Sequence, residues 1–497
     1  MALIVRYEPP LTAKHAGFPY QVDALEAIKD FEYSAIFHEQ GLGKTKIAVD
    51  LLLSWINRGV LDSVIVFTKK GLLQNWRDEL RVHTHLQPRM LTQDRLNNFH
   101  AFNSPARVYL ANYEVMRSEE QRVDLFLRTR RVGAILDEAH KIKNPDSTLA
   151  KAFFRVAPRF VRRTILTGTP VANRPYDLWA PVWFLDLGKS LGQDFESFRR
   201  DLNLANDLHR HADKAAVFER TLGRLFEKIR PFTVRETKQS SGIELPGKEI
   251  RNIAVELSGT QGDLYRRFRD ELSAIVVKAG RPLRDDADEM LKRLLRLVQV
   301  ASNPALVDDS YNGTPAKFPA LEQLVEAAVD DGEKIIVWTS FTANVDWLAR
   351  EFRQFGAVRV HGKLPILTRN ASIERFKSDP DCKVLVATPA SAKEGLTLTV
   401  ANHAVFYDRS FSLDDYLQAQ DRIHRISQTK ACYVTNLIAT ETVDMWVDVL
   451  LAAKHLAAQL GQGDITEEEY ATKATYAYGA MLKDVLGLED EDDGGHD

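Results

Sequence analysis

Ser34-Ala35-Ile36-Phe37-His38-Glu39-Gln40-Gly41-Leu42-Gly43-Lys44-Thr45 carries an apolar run into a glycine-rich turn. Behind it, Ile47, Ala48, Leu51, Leu52 and Trp55 recur at helical spacing. Strand, glycine-rich loop and helix together form the context in which backbone N–H groups and a helix N-terminus cradle phosphates. Gly41 and Gly43 let the backbone approach, Lys44 is placed to reach β- and γ-phosphates, and Thr45 can offer its hydroxyl to Mg²⁺. His38 stands where the general phosphate-loop pattern has a further glycine. Taken alone, the stretch therefore also reads as an ordinary strand-to-helix turn.

A second stretch weakens that plainer reading. Val132-Gly133-Ala134-Ile135-Leu136 is a short apolar strand ending in Asp137-Glu138-Ala139-His140. It delivers two carboxylates to the carboxyl end of a sheet, where α/β folds bind ligands. Asp137 would hold Mg²⁺ and Glu138 would accept a proton from an attacking water. Phosphate loop and carboxylate pair together point to hydrolysis of a nucleoside triphosphate.

Composition sets the frame. The 497 residues are 44% hydrophobic and 27% charged, the balance of a soluble globular chain long enough for several compact units. The two cysteines, Cys382 and Cys432, make neither a disulfide framework nor a metal set, which suits a reducing compartment. MALIVRYEPP lacks a signal-peptide core, and no apolar run approaches membrane-spanning length, so a cytoplasmic protein with no membrane partner is expected. The formal charge of −3 includes six carboxylates in the last nine residues, EDEDDGGHD, so the body carries +3. That balance permits nucleic acid without requiring it. Residues 489–497 read as an acidic disordered tail.

Two blocks alternate strands with helices. The first places strands near 34–38, 63–67, 107–111, 132–136 and 163–166; the second near 334–339, 357–360, 383–387, 403–407 and 432–438. Such alternation predicts an α/β fold with parallel β-sheets flanked by helices, plus helical insertions. The expected domains are a first lobe at 1–190, helical insertions and an inter-lobe segment at 191–305, a polar linker at 306–317, a second lobe at 318–455, a C-terminal helical segment at 456–488 and the tail. The inter-lobe segment carries Arg199, Arg200, Arg210, Arg266, Arg267, Lys292, Arg293 and Arg296. These read either as arms for a phosphate backbone or as solvated helix faces. In the second block, Gln418-Ala419-Gln420-Asp421-Arg422-Ile423-His424-Arg425 is expected to put two arginines on one helix face. Arginine forks onto phosphate oxygens and is permanently charged.

The ordered motifs resemble a superfamily-two helicase motor of the Swi/Snf type, a branch of double-stranded DNA translocases. They are PYQ (19–21), HEQGLGKT (38–45), VIVFTKKGLLQNW (64–76), YLANYE (109–114), DEAHKIKN (137–144), LTGTPVAN (166–173), RPFTVRETK (230–238), LPGK (245–248), VWTSF (337–341), ATPASAKEGLTLT (387–399) and QAQDRIHRISQ (418–428). The resemblance covers residues 15–445, and YDRSFSLDDYLQAQDR (407–422) is similar to minimal phage- or mobile-element-like members. The chain departs from the family at His38-Glu39-Gln40, where Asp-Glu-Met is usual, at Thr397 in place of an asparagine, and at Ser427 in place of a glycine.

The resemblance implies two RecA-like lobes and a DNA-dependent ATPase using ATP and Mg²⁺. It implies that Gln21 reads the adenine edge. Gly41, Gly43, Lys44 and Thr45 would hold phosphates, Thr45 and Asp137 the metal. Lys44, Asp137, Glu138, Arg422 and Arg425 would carry catalysis, with Gly395 approaching the same nucleotide. Thr167 and Thr169 would couple hydrolysis to strand contact. Thr68, Lys69, Asn112, Tyr113, Lys363 and Thr388 would track a nucleic-acid backbone. Double-stranded or branched DNA is the implied partner, for a nucleoid-associated monomer of bacterial or phage origin that remodels protein–DNA or branched structures. A strand-separating DNA or RNA helicase, and a non-hydrolysing binding module, are the alternatives; the retained Lys44, Asp137, Glu138, Arg422 and Arg425 argue against the last.

Overall fold

The short β-branched runs become two parallel sheets. The computed structural model describes residues 8–171, 173–202, 212–257, 259–278, 287–393 and 397–474. Arg210, Gly395 and the acidic tail lie outside the described residues. The chain divides into two compact units, one gathering Met1–Asn203, Ala216–Glu244 and Ala457–Tyr470, the other taking chiefly Leu245–Leu456.

The strands of the first unit are β1 (Tyr33–Ile36), β2 (Ser63–Thr68), β3 (Arg89–Leu91), β4 (Val108–Asn112), β5 (Val132–Asp137), β6 (Arg162–Leu166) and β7 (Thr233–Val234). They form a seven-stranded sheet in the order β3-β4-β2-β5-β6-β1-β7, with every neighbouring pair parallel. Parallel neighbours need crossovers, and helices supply them. The helix Lys44–Asn57 lays Ile47, Leu51, Leu52 and Trp55 against Val64, Val66, Leu110 and Ile135 in one core cluster. Burying each such side chain contributes roughly 1.5–3 kcal/mol, which fixes the helix and the loop before it to the sheet.

The second unit holds β8 (Lys248–Val255), β9 (Ile335–Trp338), β10 (Val358–Val360), β11 (Val384–Ala387), β12 (His403–Phe406) and β13 (Cys432–Ala439), in the parallel order β10-β11-β9-β12-β13-β8. Alternate residues of β9 serve opposite faces, as strand geometry requires. Ile336 and Trp338 join Phe376, Leu385 and Phe406, while Ile335 and Val337 join Leu321, Leu348 and Val405.

Three expectations change. The segment 191–305 is not wholly helical, because β7 and β8 supply an edge strand to each sheet. The linker 306–317 ends in a fully buried Lys317, whose ammonium pairs with Asp444 and donates to the Tyr407 carbonyl at 3.1 Å. Arg422 and Arg425 do not share a helix: the helix Leu413–Gln420 stops before them. Gln428 explains the stop, since its amide donates to the carbonyls of Ala401 at 3.0 Å and Ile423 at 2.8 Å and turns the chain back.

Candidate nucleotide and nucleic-acid site

The carboxyl ends of β1, β5, β6, β2 and β4 carry the expected residues of the first unit. After β1 the loop reaches Gly43, whose φ of +70° is cheap only for glycine. A Cβ there would lie 2.4 Å from Nε2 of Gln21. Gln21 is a strut under the loop: its Oε1 accepts the Phe18 N–H at 3.0 Å and its Nε2 donates to the Leu42 carbonyl at 3.1 Å. The Tyr20 hydroxyl donates to the same carbonyl at 3.0 Å. Lys44 turns its ammonium onto the carbonyls of His38 and Glu39, at 3.0 and 3.3 Å. His38 is buried, and that burial, reinforced by the Lys44 charge, lowers its pKa to about 4, so the ring is neutral. The missing glycine is thus replaced by an uncharged core side chain.

The segment RPFTVRETK, which the sequence singles out without a role, docks along this loop. The Phe37 N–H donates to the Val234 carbonyl at 2.9 Å and the Glu39 N–H to the Glu236 carbonyl at 2.8 Å. Arg235 donates to the Phe37 carbonyl at 2.6 Å while forking onto Asp464, with Nε at 2.6 Å. Residues Ala457–Tyr470 are therefore tied to the entrance of the phosphate loop.

β5 ends at Asp137. Its Oδ2 accepts the Thr68 hydroxyl at 3.0 Å and the Trp76 indole N–H at 2.8 Å, and its carbonyl accepts the Tyr113 hydroxyl at 2.8 Å. Thr68 and Tyr113 are buried, with their hydroxyls committed to Asp137. Thr68 thereby orients the Asp137 carboxylate and Tyr113 its main-chain carbonyl, so in this structure both hydroxyls face inward. Trp76 also orients the carboxylate, and the sequence signal for it was its place in Gln-Asn-Trp. Asn112 and Thr388 are also buried, whereas Lys69 is half-buried and Lys363 exposed.

Glu138 adopts φ 57° and ψ 53°, a left-handed conformation that costs a non-glycine residue about 1–2 kcal/mol. Burial, then the neighbouring Glu138 charge, raises the Asp137 pKa. Burial also acts to raise Glu138, but His140 beside it, with Lys69 and Lys44, outweighs this and holds its carboxyl well below the usual range. Two adjacent carboxylates, with Oε2 of Glu138 buried and without a hydrogen-bond partner among the described residues, suit a hard cation and a water. No group of three or more His, Cys, Asp or Glu among the described residues is arranged to hold a metal ion by itself, so a Mg²⁺ ion would draw most of its ligands from phosphate and water.

After β6, Thr167 and Thr169 are buried, and the Thr169 N–H donates to the Thr167 hydroxyl at 3.3 Å. A Cβ on Gly168 between them would lie 2.6 Å from Nε2 of Gln40, so this turn presses on the phosphate loop. In the second unit Arg422 is buried. Arg425 donates from Nε to the Asp421 carbonyl and from a terminal nitrogen to the Thr397 hydroxyl, each at 3.0 Å. Of the basic residues between the blocks, Arg199 pairs with Glu196 and Arg266 with Asp263 on their own helices, as solvated helix faces do. Cys382 and Cys432 are buried free thiols, and no described helix is long and apolar enough to cross a membrane.

An uncharacterized ATP-dependent helicase of Mycoplasma pneumoniae is 27% identical over 88% of this chain and 41% of its own length. The ISWI chromatin-remodeling complex ATPase ISW1 of Saccharomyces cerevisiae is 25% identical over 86% of this chain and 39% of its own. The chain thus spans about two fifths of the length of these curated relatives. Among solved structures, the Sulfolobus solfataricus SWI2/SNF2 ATPase core in complex with dsDNA is 25% identical, with 98% of this chain and 100% of that chain covered at a TM-score of 0.42. The model of the SNF2-related domain matches residues 29–306 and that of the helicase conserved C-terminal domain residues 316–427. The chain therefore belongs to the SNF2-related family of superfamily-two helicase-like ATPases.

Proposed function

We propose that this protein is an ATP-driven translocase on double-stranded DNA that remodels protein–DNA or branched-DNA structures. The observation that carries the reading is the carboxylate pair at the end of β5. Asp137 is oriented by Thr68 and Trp76, and Glu138 keeps a buried, unpartnered oxygen beside the Lys44 loop. Lys44 and the loop amides bind the phosphates, leaving the carbonyls of His38 and Glu39 for the nucleotide. Glu138 takes a proton from water as that water attacks the γ-phosphorus and ADP leaves. Thr45 and Asp137 offer a hydroxyl and a carboxylate oxygen to a Mg²⁺ ion, whose charge would offset the phosphates when bound. Arg422 and Arg425 supply positive charge to the γ-phosphate as it departs. Lys69 and Lys363 are the side chains best exposed to meet a DNA backbone.

Duplex DNA is expected to stimulate ATP hydrolysis, and single-stranded RNA is not. A triplex-displacement assay should be positive on a blunt duplex, with weak unwinding of a forked one. Efficient unwinding from a single-stranded tail would replace the translocase with the strand-separating reading.

The Arg235 fork gives a second expected result. Asp464→Ala removes the carboxylate that holds Arg235 on the Phe37 carbonyl. ATP affinity should fall roughly 3–10-fold with little change in kcat, because the loop entrance loosens while the carboxylates stay placed. Titration with a fluorescent ATP analogue reads this; an unchanged Kd would show that the fork does not reach the loop.

A further inference from the structure

A chain of close contacts joins a half-buried cationic position to the hydrolytic carboxylate. Nζ of Lys69 lies 2.9 Å from Nε2 of His140, and Nδ1 of His140 lies 3.3 Å from Oε2 of Glu138. An ammonium group only donates, so Nε2 accepts and the ring proton sits on Nδ1, facing Glu138. That Glu138 oxygen is buried and has no hydrogen-bond partner among the described residues. The acceptor that a water would need is thus turned toward an imidazole N–H. The left-handed backbone at Glu138 fixes where the side chain starts.

We propose that Lys69 and His140 form a relay that holds Glu138 turned away from water until a nucleic-acid phosphate draws Lys69 off the imidazole. His140 is then a positioning residue for the hydrolytic carboxylate, and Lys69 is the sensor. The proposal rests on the reading of Lys69 as a position that meets a DNA backbone. A phosphate oxygen is a stronger partner for an ammonium than a neutral imidazole nitrogen, because both partners are then charged. Once Lys69 leaves, His140 loses the contact that fixes its tautomer and ring plane, and Glu138 is released to the water. Stimulation by DNA then needs no change in the phosphate loop.

The test compares Lys69→Gln, His140→Ala and the double mutant without any nucleic acid. Each single change should raise the DNA-free ATPase rate, by roughly threefold or more, and the double mutant should rise no further, because both cut one chain. Unchanged or lower rates in the single mutants, or additive gains in the double, overturn the relay. Binding of an ATP analogue certifies that each variant keeps a folded site; should His140→Ala lose it, the Lys69→Gln rate alone decides. With saturating duplex, His140→Ala should show a stimulation ratio well below that of the wild type at unchanged duplex affinity, and a wild-type ratio overturns the proposal. The DNA-free arm is independent of the translocase reading, which fails instead if duplex DNA leaves the wild-type rate unchanged.

Discussion

Glu138→Gln is expected to abolish ATP turnover while leaving nucleotide binding intact, and Lys44→Ala to abolish turnover and weaken binding as well. The two differ because the groups act at different stages. Lys44 sits at the start of a helix whose first amides and preceding loop would face the phosphates, so its ammonium would contribute to the bound ground state and to the transition state alike. In the proposed mechanism Glu138 does not touch phosphate; it would receive the proton of the attacking water. Glutamine keeps its shape and size but cannot hold a proton, so the loss falls on kcat, on the order of 10²–10⁴. The strained backbone at 138 belongs to Glu and Gln equally, so the substitution leaves the local fold as it is. Steady-state hydrolysis with equilibrium nucleotide titration separates the cases. Normal hydrolysis by either purified variant would remove the assignment.

The central strands were legible because they are continuous apolar runs. β2 is buried along its whole length, and β5 is buried up to Asp137. The edges were not. β8 reads Lys-Glu-Ile-Arg-Asn-Ile-Ala-Val and is mostly exposed, so it carries the charges that edge strands use instead of a hydrophobic run. β7 has just two residues and exists only because β1 pairs with it. The same division runs through the site. Lys44, Asp137 and Glu138 were readable because the chemistry needs those residue types next to a glycine loop or a strand end. Trp76, Tyr113 and His140 act by reaching across the sheet, and Arg235 meets a partner 229 positions away. Nothing local in Arg235 or Asp464 announces that contact. Thr68 and Tyr113 show what a motif position alone does not reveal. Their hydroxyls face inward, Thr68 to the Asp137 carboxylate and Tyr113 to its main-chain carbonyl, because buried acceptors need donors.

Arg425→Ala is expected to lower kcat by roughly 10³ with little change in ATP affinity. A cation that meets the γ-phosphate only as charge builds on it stabilises the transition state and not the bound ground state. Arg425 suits that role better than Arg422 as a test position. Arg422 is buried and its carbonyl accepts the Leu398 N–H, so truncating it would disturb the fold of the turn. Its neighbours hold Arg425 with contacts that include Nε on the Asp421 carbonyl and a terminal nitrogen on the Thr397 hydroxyl. These two acceptors are neutral, and a charged phosphate oxygen is the stronger partner for a guanidinium. Thr397 is one of the chain's departures from its family, and its hydroxyl gives the guanidinium a fixed resting place. Arg425→Lys should not restore the rate, because an ammonium cannot reproduce the planar fork. The decisive pattern is single-turnover hydrolysis that is slow in both variants beside nucleotide binding that is intact. An Arg425→Ala enzyme that hydrolyses ATP at the wild-type rate would assign the γ-phosphate charge to some other residue.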